Sequence, residues 1–139
     1  MSRELLPADE MVVRRFDPSN PNHLVTDEGT GKSRVRMGAF FLRRDESGLS
    51  VARRAVLERC GLSETDVKKP PHVGLAEAGV GEIHATEKGW EVAADPWPCG
   101  PNPDYPVDEA HALITPSRSR PTDSQVKALS LCFRVICTQ

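Results

Sequence analysis

Residues 95–109, DPWPCGPNPDYPVDE, are the most conformationally restricted stretch of the chain. Five of these fifteen residues are proline, which fixes its own backbone φ angle and has no amide hydrogen to donate. The stretch therefore cannot continue a helix or lie inside a sheet, and we expect a stiff, extended loop close to polyproline II. Its two aromatic residues, Trp97 and Tyr105, either pin the loop to the body of the protein or form a docking surface.

Three apolar segments outside this loop have the composition of β-strands. EMVVRRF (10–16) is rich in β-branched and aromatic residues, RVRMGAFFL (34–42) is apolar enough for a strand, and AHALIT (110–115) follows the proline-rich loop. Residues 17–33 are dense in proline, asparagine, glycine and aspartate, and this composition predicts a loop.

Two segments have helical periodicity. In LSVARRAVLERCG, Leu49, Ala52, Val56 and Cys60 recur at helical spacing, and Gly61 follows at the position of a C-cap. In TDSQVKALSLCFRVI the N-cap is Thr122 or Asp123. The apolar positions that predict this last helix are Val126, Leu129, Phe133 and Ile136.

The segment between these helices, residues 77–94, allows two interpretations. One is a short strand, then a helix over roughly 77–88 capped by Gly89, and then a strand WEVAA. The other is a hairpin that joins GEIHATE to WEVAAD through residues 87–89. We favour the helix.

Together the elements predict one small α+β domain. We expect a small mixed or antiparallel sheet packed by two or three helices, with the proline-rich loop before a late strand. Residues 1–10 are expected to form a flexible N-terminus and residues 11–139 a single domain, a length sufficient for a hydrophobic core. The chain has no apolar run that could span a membrane and no secretory signal at its start. We therefore expect a cytoplasmic protein without a membrane partner.

Cofactor chemistry is not indicated by the spacing of the potential ligands. Cys60, Cys99, Cys132 and Cys137 contain no CxxC pair, and the four histidines are scattered, so we expect free thiols, no metal site and no cofactor. Ser50, in GLSV, lacks the sequence context of a nucleophile elbow.

Charge is distributed unevenly along the chain. Residues 34–59 contain seven basic and three acidic residues, whereas residues 77–109 contain eight acidic residues and one lysine. Either these segments are two solvated faces, or the basic one steers an acidic partner. The candidate binding residues in the basic segment are Arg34, Arg36, Arg43, Arg44, Arg53 and Arg54.

His111 is the candidate catalytic residue. Asp108 and Glu109 precede it and could orient the imidazole or make it more basic. Arg118 and Arg120 follow the strand and could clamp a phosphate or carboxylate. The alternative is a half-buried histidine whose ring bonds to a loop carbonyl.

Four short markers resemble an uncharacterised group of small bacterial single-domain proteins. They are VVRRF, SRVRMGAFF leading to GLSV, GWEVAADP, and HALITP, and the resemblance covers roughly residues 12–130. It implies a small soluble bacterial protein with a proline-rich approach to a His-Ala pair, and no particular activity.

These observations leave three functions open, and they do not decide whether the protein is an enzyme. The first is a non-catalytic accessory module that binds a protein partner through the basic segment or the proline-rich loop. The resemblance implies a bacterial setting for such a module, in a defence or mobile locus. The second is a small hydrolase or transferase that acts on a phosphorylated ligand at His111. The third is nucleic-acid binding through the arginines of residues 34–59.

Overall fold

The computed structural model describes most of the chain as a series of short strands and helices. It describes residues 5–41, 48–62, 73–86, 89–95, 110–117 and 121–137. The strands within these residues are β1 (Met11–Phe16), β2 (Leu24–Thr26), β3 (Ser33–Val35), β4 (Leu49–Arg53), β5 (Gly74–Gly79), β6 (Trp90–Ala94), β7 (His111–Pro116) and β8 (Arg134–Cys137). The α-helices are α1 (Arg54–Arg59), α2 (Val80–His84) and α3 (Asp123–Leu131), and Met37–Phe40 form a 3₁₀ turn.

Six of these strands form one sheet in the order β6-β7-β4-β1-β5-β8, and β2 and β3 form a separate hairpin. Every pair of neighbouring strands is antiparallel. The predicted α+β class, an antiparallel sheet with three helices, is therefore confirmed. The proline-rich loop falls almost wholly outside the described residues, so its conformation stays a prediction.

The sheet buries apolar side chains on both faces, because successive residues of a strand point to opposite sides. On β1, Val12 joins the larger core and Val13 the smaller one. The larger core lies beneath α2, α3 and the 3₁₀ turn, whereas α1 contributes Val56 and Leu57 to the smaller core. The indole of Trp90 donates a 2.9 Å hydrogen bond to the carbonyl of Gln125 and so ties β6 to α3.

The segment expected to be a loose end is held in place, because Leu5 and Leu6 lie against the outer edge of β6 and the carbonyls of Ala8 and Glu10 accept from the first amides of α2. The amide of Leu6 donates to the carbonyl of Val92, and the Leu6 side chain is buried in the larger core. The amide of Val92 donates to the His84 Nε2 at 3.0 Å. These contacts cover part of a sheet edge that would otherwise expose unpaired backbone groups.

The predicted helix at residues 49–61 is only half right. Leu49–Arg53 form strand β4, and the helix begins at Arg54. A central strand that is buried on both faces does not alternate between apolar and polar residues, so its apolar positions also fit a helical period. The predicted helix end at glycine is confirmed, because Gly61 follows the cap residue Cys60 with a φ of 77° and the amide of Leu62 bonds to the carbonyl of Leu57.

Two further segments change conformation earlier than predicted. The strand expected over 34–42 ends at Val35, and the 3₁₀ turn that follows places Phe40 against Phe133, with ring centroids 4.8 Å apart. The last helix is capped by Thr122, one of the two residues expected at its N-cap, but ends at Leu131, and Ile136 lies in strand β8. Apolar spacing of three or four residues cannot show where a helix gives way to a strand.

At residues 77–94 the structure agrees with the strand–helix–strand interpretation rather than with the hairpin. β5, α2 and β6 follow one another in this order. The helix is shorter than predicted, and its C-cap is Ala85 rather than Gly89.

Arg14 joins three parts of the fold. β1 and β4 pair at only two positions, and beyond them the Arg14 Nη1 donates to the Ser50 carbonyl at 2.9 Å. Its Nε and Nη2 both donate to the Ala39 carbonyl, at 3.1 and 2.8 Å. The guanidinium also lies 5.6 Å from the centre of the Phe40 ring. One partly buried side chain thus fastens the 3₁₀ turn to the central strands.

We expect Arg14→Met to lower the free energy of unfolding by about 2–3 kcal/mol, because it leaves two carbonyls without their charged donor. Urea unfolding measures this change. Arg34→Met is the matched control and should change the free energy by less than about 0.5 kcal/mol, because the Arg34 side chain is exposed. Equal effects of the two substitutions would contradict the role given to Arg14.

His23 closes the loop that leads into the β2–β3 hairpin. Its Nδ1 accepts a hydrogen bond from the amide of Asp17 at 3.1 Å. Burial lowers the pKa of His23 below its usual value of 6.5, and Arg14 lowers it further, while Asp17 opposes the shift. The folded protein therefore binds a proton at His23 less readily than the unfolded chain does.

This difference predicts that the contribution of His23 to stability is present above pH 6.5 and is lost as the pH falls below it. We expect His23→Gln to flatten the decline in unfolding free energy between pH 7 and pH 5, compared with the unchanged protein. Urea unfolding at a series of pH values measures the difference. Parallel curves for the two proteins would show that His23 titrates alike in the folded and unfolded states.

Candidate functional site

His111 is the first residue of β7, the strand that lies between the edge strand β6 and β4. It lies opposite Ala52 of β4, on the face that packs against α1, and it is 2% exposed. Because successive side chains of a strand point to opposite faces of the sheet, Ser50 points to the same face as Ala52, two residues later. β6 pairs with β7 on the other side and ends at Ala94, one residue before Asp95. Three strands thus bring Ser50, His111 and Asp95 together.

The imidazole of His111 bridges these two residues. Its Nδ1 lies 2.7 Å from the backbone carbonyl oxygen of Asp95 and 3.2 Å from the carboxylate Oδ2 of the same residue. Its Nε2 lies 3.0 Å from the Ser50 Oγ. Carbonyl and carboxylate oxygens only accept, so Nδ1 carries the proton. In the neutral ring Nε2 then accepts the hydrogen bond from the Ser50 hydroxyl.

Of the two sequence interpretations of His111, the half-buried ring bonded to a loop carbonyl agrees with the Nδ1 contact to the Asp95 carbonyl, although the ring is buried more fully than expected. The catalytic interpretation placed other partners beside it. Asp108, Glu109, Arg118 and Arg120 lie outside the described residues, and their placement relative to His111 stays a prediction. The described carboxylate at the ring is that of Asp95, sixteen residues earlier. This contact could have been predicted from an antiparallel pairing of WEVAA with HALITP, because extending that pairing by one residue places Asp95 beside His111.

Arg34 and Arg36 lie elsewhere, on a cleft between β3 and α3. The cleft has a volume of about 180 Å³, and its walls include Val35, Met37 and Leu131. Lys127 of α3 lies on the same cleft. Leu131 is 65% exposed, which leaves a large apolar side chain open at the rim. The cleft therefore combines an apolar surface with three cationic side chains.

Arg34 also lines two neighbouring clefts, of about 580 and 550 Å³. The charged residues that line the three clefts are Lys32, Arg34, Arg36, Lys127 and Arg134, together with Asp27. Within the described part of the chain the Arg34 side chain forms no hydrogen bond or ion pair. We call this surface, defined by these six residues, the basic surface.

Arg53 and Arg54 do not line the clefts of the basic surface. Arg53 is held by Glu10, with Nε 2.7 Å from Oε1, and Glu10 is itself almost fully buried. The Arg54 Nη1 lies 2.7 Å from the Glu77 Oε2, and its Nε bonds to Glu58 at 3.2 Å. These two arginines are thus paired with carboxylates of the chain itself, and their surroundings give them a structural role.

The remaining predicted binding residues lie outside the described residues. They are Arg43, Arg44, Trp97 and Tyr105, together with the two arginines after β7.

The described cysteines are free thiols. They are Cys60, Cys132 and Cys137. Burial, with a contribution from Glu82, raises the pKa of the Cys132 thiol, which disfavours the nucleophilic thiolate. Among the described residues no three His, Cys, Asp or Glu side chains cluster as metal ligands would. No described helix is both long and apolar enough to cross a bilayer.

Comparisons with protein-family models, with curated proteins and with solved structures find no match to this chain. The resemblance to small bacterial proteins therefore stays a prediction, and the site has to be interpreted from its own geometry.

Charge reversal should destabilise the protein at a paired arginine and leave its stability nearly unchanged at an arginine of the basic surface. Arg53→Glu should lower the free energy of unfolding by about 2 kcal/mol or more, because the buried Glu10 carboxylate loses its donor and meets a second negative charge. Arg34→Glu should change it by less than about 0.5 kcal/mol, because Arg34 forms no ion pair with a described residue. Thermal or urea unfolding compares the two, and equal losses would contradict this division.

Proposed function

We propose that the protein is a binding module of the bacterial cytoplasm. In this proposal the basic surface takes an acidic segment of a partner protein, and an apolar side chain of that segment enters the cleft between β3 and α3. The observation that carries the proposal is the combination of exposed cations with an open apolar cleft at Arg34.

Charge complementarity supports an acidic occupant. Among the described residues, five cations and one carboxylate line the three clefts that share Arg34, in a chain whose net charge is −2. One of the cations, Arg134, lies 3.7 Å from the Glu77 carboxylate, and the other four leave a local excess of positive charge. Such a patch attracts acidic partners and raises their rate of association. Because the surface is exposed, added salt should weaken the attraction.

The apolar part of the cleft favours a peptide over a nucleic acid. Val35, Met37 and Leu131 offer contact to a leucine or phenylalanine side chain, and this contact is insensitive to salt. A single-stranded nucleic acid would bind through its phosphates to the cations and through its bases to exposed aromatic side chains. Among the described residues, the aromatic side chain that lines these three clefts is Phe133, which is 5% exposed and belongs to the core. The exposed Phe41 lines a separate cleft beside Arg36.

The experiment is a titration with a fluorescein-labelled peptide of alternating aspartate and leucine, followed by anisotropy and by amide NMR shifts. We expect shifts at Arg34, Met37, Lys127 and Leu131, and a dissociation constant that rises with salt. Arg34→Glu should weaken binding by about tenfold, which corresponds to about 1.4 kcal/mol. Leu131→Asn should weaken it at low and high salt alike.

Arg59→Glu is the matched control, because Arg59 is exposed on α1 and lines none of the three clefts. It should leave the affinity unchanged. The same peptide with lysine in place of aspartate should not bind. Equal losses for Arg34→Glu and Arg59→Glu would refute the site, and tighter binding of a ten-nucleotide thymidine oligomer at the same residues would favour a nucleic-acid partner instead.

A further inference from the structure

Ser50, His111 and Asp95 form a hydrogen-bonded chain that the binding of an acidic peptide does not use. We propose that Ser50 is a nucleophile toward small carboxylic esters, with His111 as its general base and Asp95 as a positioning residue. The proposal rests on the positions of these three side chains and is independent of the basic surface.

The order of the contacts is that of a serine nucleophile with its base. The Ser50 Oγ lies 3.0 Å from Nε2, within the distance at which an imidazole can remove the hydroxyl proton. The contacts of Nδ1 to Asp95 hold the proton on the far side of the ring, so Nε2 is left with its lone pair toward the hydroxyl. The ring therefore has the tautomer that general-base catalysis requires.

The three side chains differ in their exposure to solvent, and the differences match the roles proposed for them. The His111 ring is 2% exposed, so surrounding protein rather than water fixes its orientation. Ser50 is partly exposed, and the Asp95 side chain is 26% exposed. The group that would meet a substrate is thus more open than its base, as a nucleophile has to be.

The backbone of Ser50 is held independently of its side chain. The Arg14 Nη1 donates to the Ser50 carbonyl at 2.9 Å, while the hydroxyl points to His111. A side chain whose main chain is fixed on a central strand keeps its distance to its base, and such preorganisation favours reaction.

The reaction follows from these positions. The Ser50 Oγ attacks the acyl carbon of the ester and forms a C–O bond while Nε2 takes the hydroxyl proton. The imidazolium keeps its Nδ1–H on Asp95 and returns the Nε2 proton to the departing alcohol as the ester C–O bond breaks. A water molecule then attacks the acyl-serine with His111 again as the base, which releases the carboxylic acid and restores Ser50.

The tautomer of His111 does not depend on the Asp95 carboxylate alone, because the backbone carbonyl of Asp95 lies closer to Nδ1 than the carboxylate of Asp95 does. Asp95→Asn should therefore keep the tautomer and lose only the negative charge. We expect about a tenfold fall in rate for Asp95→Asn, whereas His111→Gln removes the base and should cost about a hundredfold or more.

The test uses a fluorophosphonate probe, in which Ser50 would displace fluoride and form an O–P bond, and p-nitrophenyl acetate as the ester. We expect one adduct per chain, mapped by mass spectrometry to Ser50, together with release of nitrophenolate. Both should disappear in Ser50→Ala. Ser19→Ala is the matched control and should keep both, because the Ser19 hydroxyl bonds to the Asp17 carboxylate rather than to an imidazole.

Two further measurements separate catalysis from a purely structural role. Nitrogen-15 shifts of the His111 ring report the tautomer, and they should be the same in the unchanged protein and in Asp95→Asn while the labelling rates differ. Thermal unfolding shows whether Ser50→Ala is folded. Labelling at another residue, labelling as fast in urea as in buffer, or full ester hydrolysis by folded Ser50→Ala would overturn the proposal and leave the basic surface unaffected.

Discussion

The guanidinium of Arg14 is the interaction on which much of the arrangement depends. β1 and β4 are neighbours in the centre of the sheet but pair at only two positions. Beyond these two positions, the Arg14 side chain connects β1 to β4 and to the 3₁₀ turn through hydrogen bonds to the carbonyls of Ser50 and Ala39. A charged donor that satisfies otherwise unpaired carbonyls contributes more than a neutral one. The 3₁₀ turn and the backbone of Ser50 are both held by this one side chain, which also lies over the core residue Phe40.

Both candidate sites follow from the way the sheet is assembled. Ser50 lies in β4, His111 in β7, and Asp95 directly after β6, so their contacts require the registers of both strand pairs. A shift of one residue in either pairing would move His111 to the opposite face from its partners. The basic surface depends instead on the β2–β3 hairpin lying close to α3 and β8, which places Arg34 and Lys127 on one cleft.

Local sequence patterns predicted the strands and caps well where one pattern excluded the alternatives. β1, β7 and the turn at Gly61 were found this way, because β-branched runs and a left-handed glycine each have a local cause. The N-cap of α3 was left between Thr122 and Asp123, and the structure selects Thr122 through its capping box with Gln125. β4 was taken for helix, because burial on both faces removes alternation. Arg53 was taken for a free cation, because its partner Glu10 lies forty-three residues away in the sequence.

The α+β class, the position of His111 at the start of a late strand and the excess of arginine in one segment could all be predicted from the residues alone. Which arginines pair with carboxylates and which lie at an open cleft became clear from the folded arrangement. The folded arrangement also decided that a serine sixty-one residues from His111 is its hydrogen-bond partner. The physical reason is the same in each case. Propensities and caps act within a few residues, whereas ion pairs and hydrogen bonds between side chains depend on strand register and packing between distant segments.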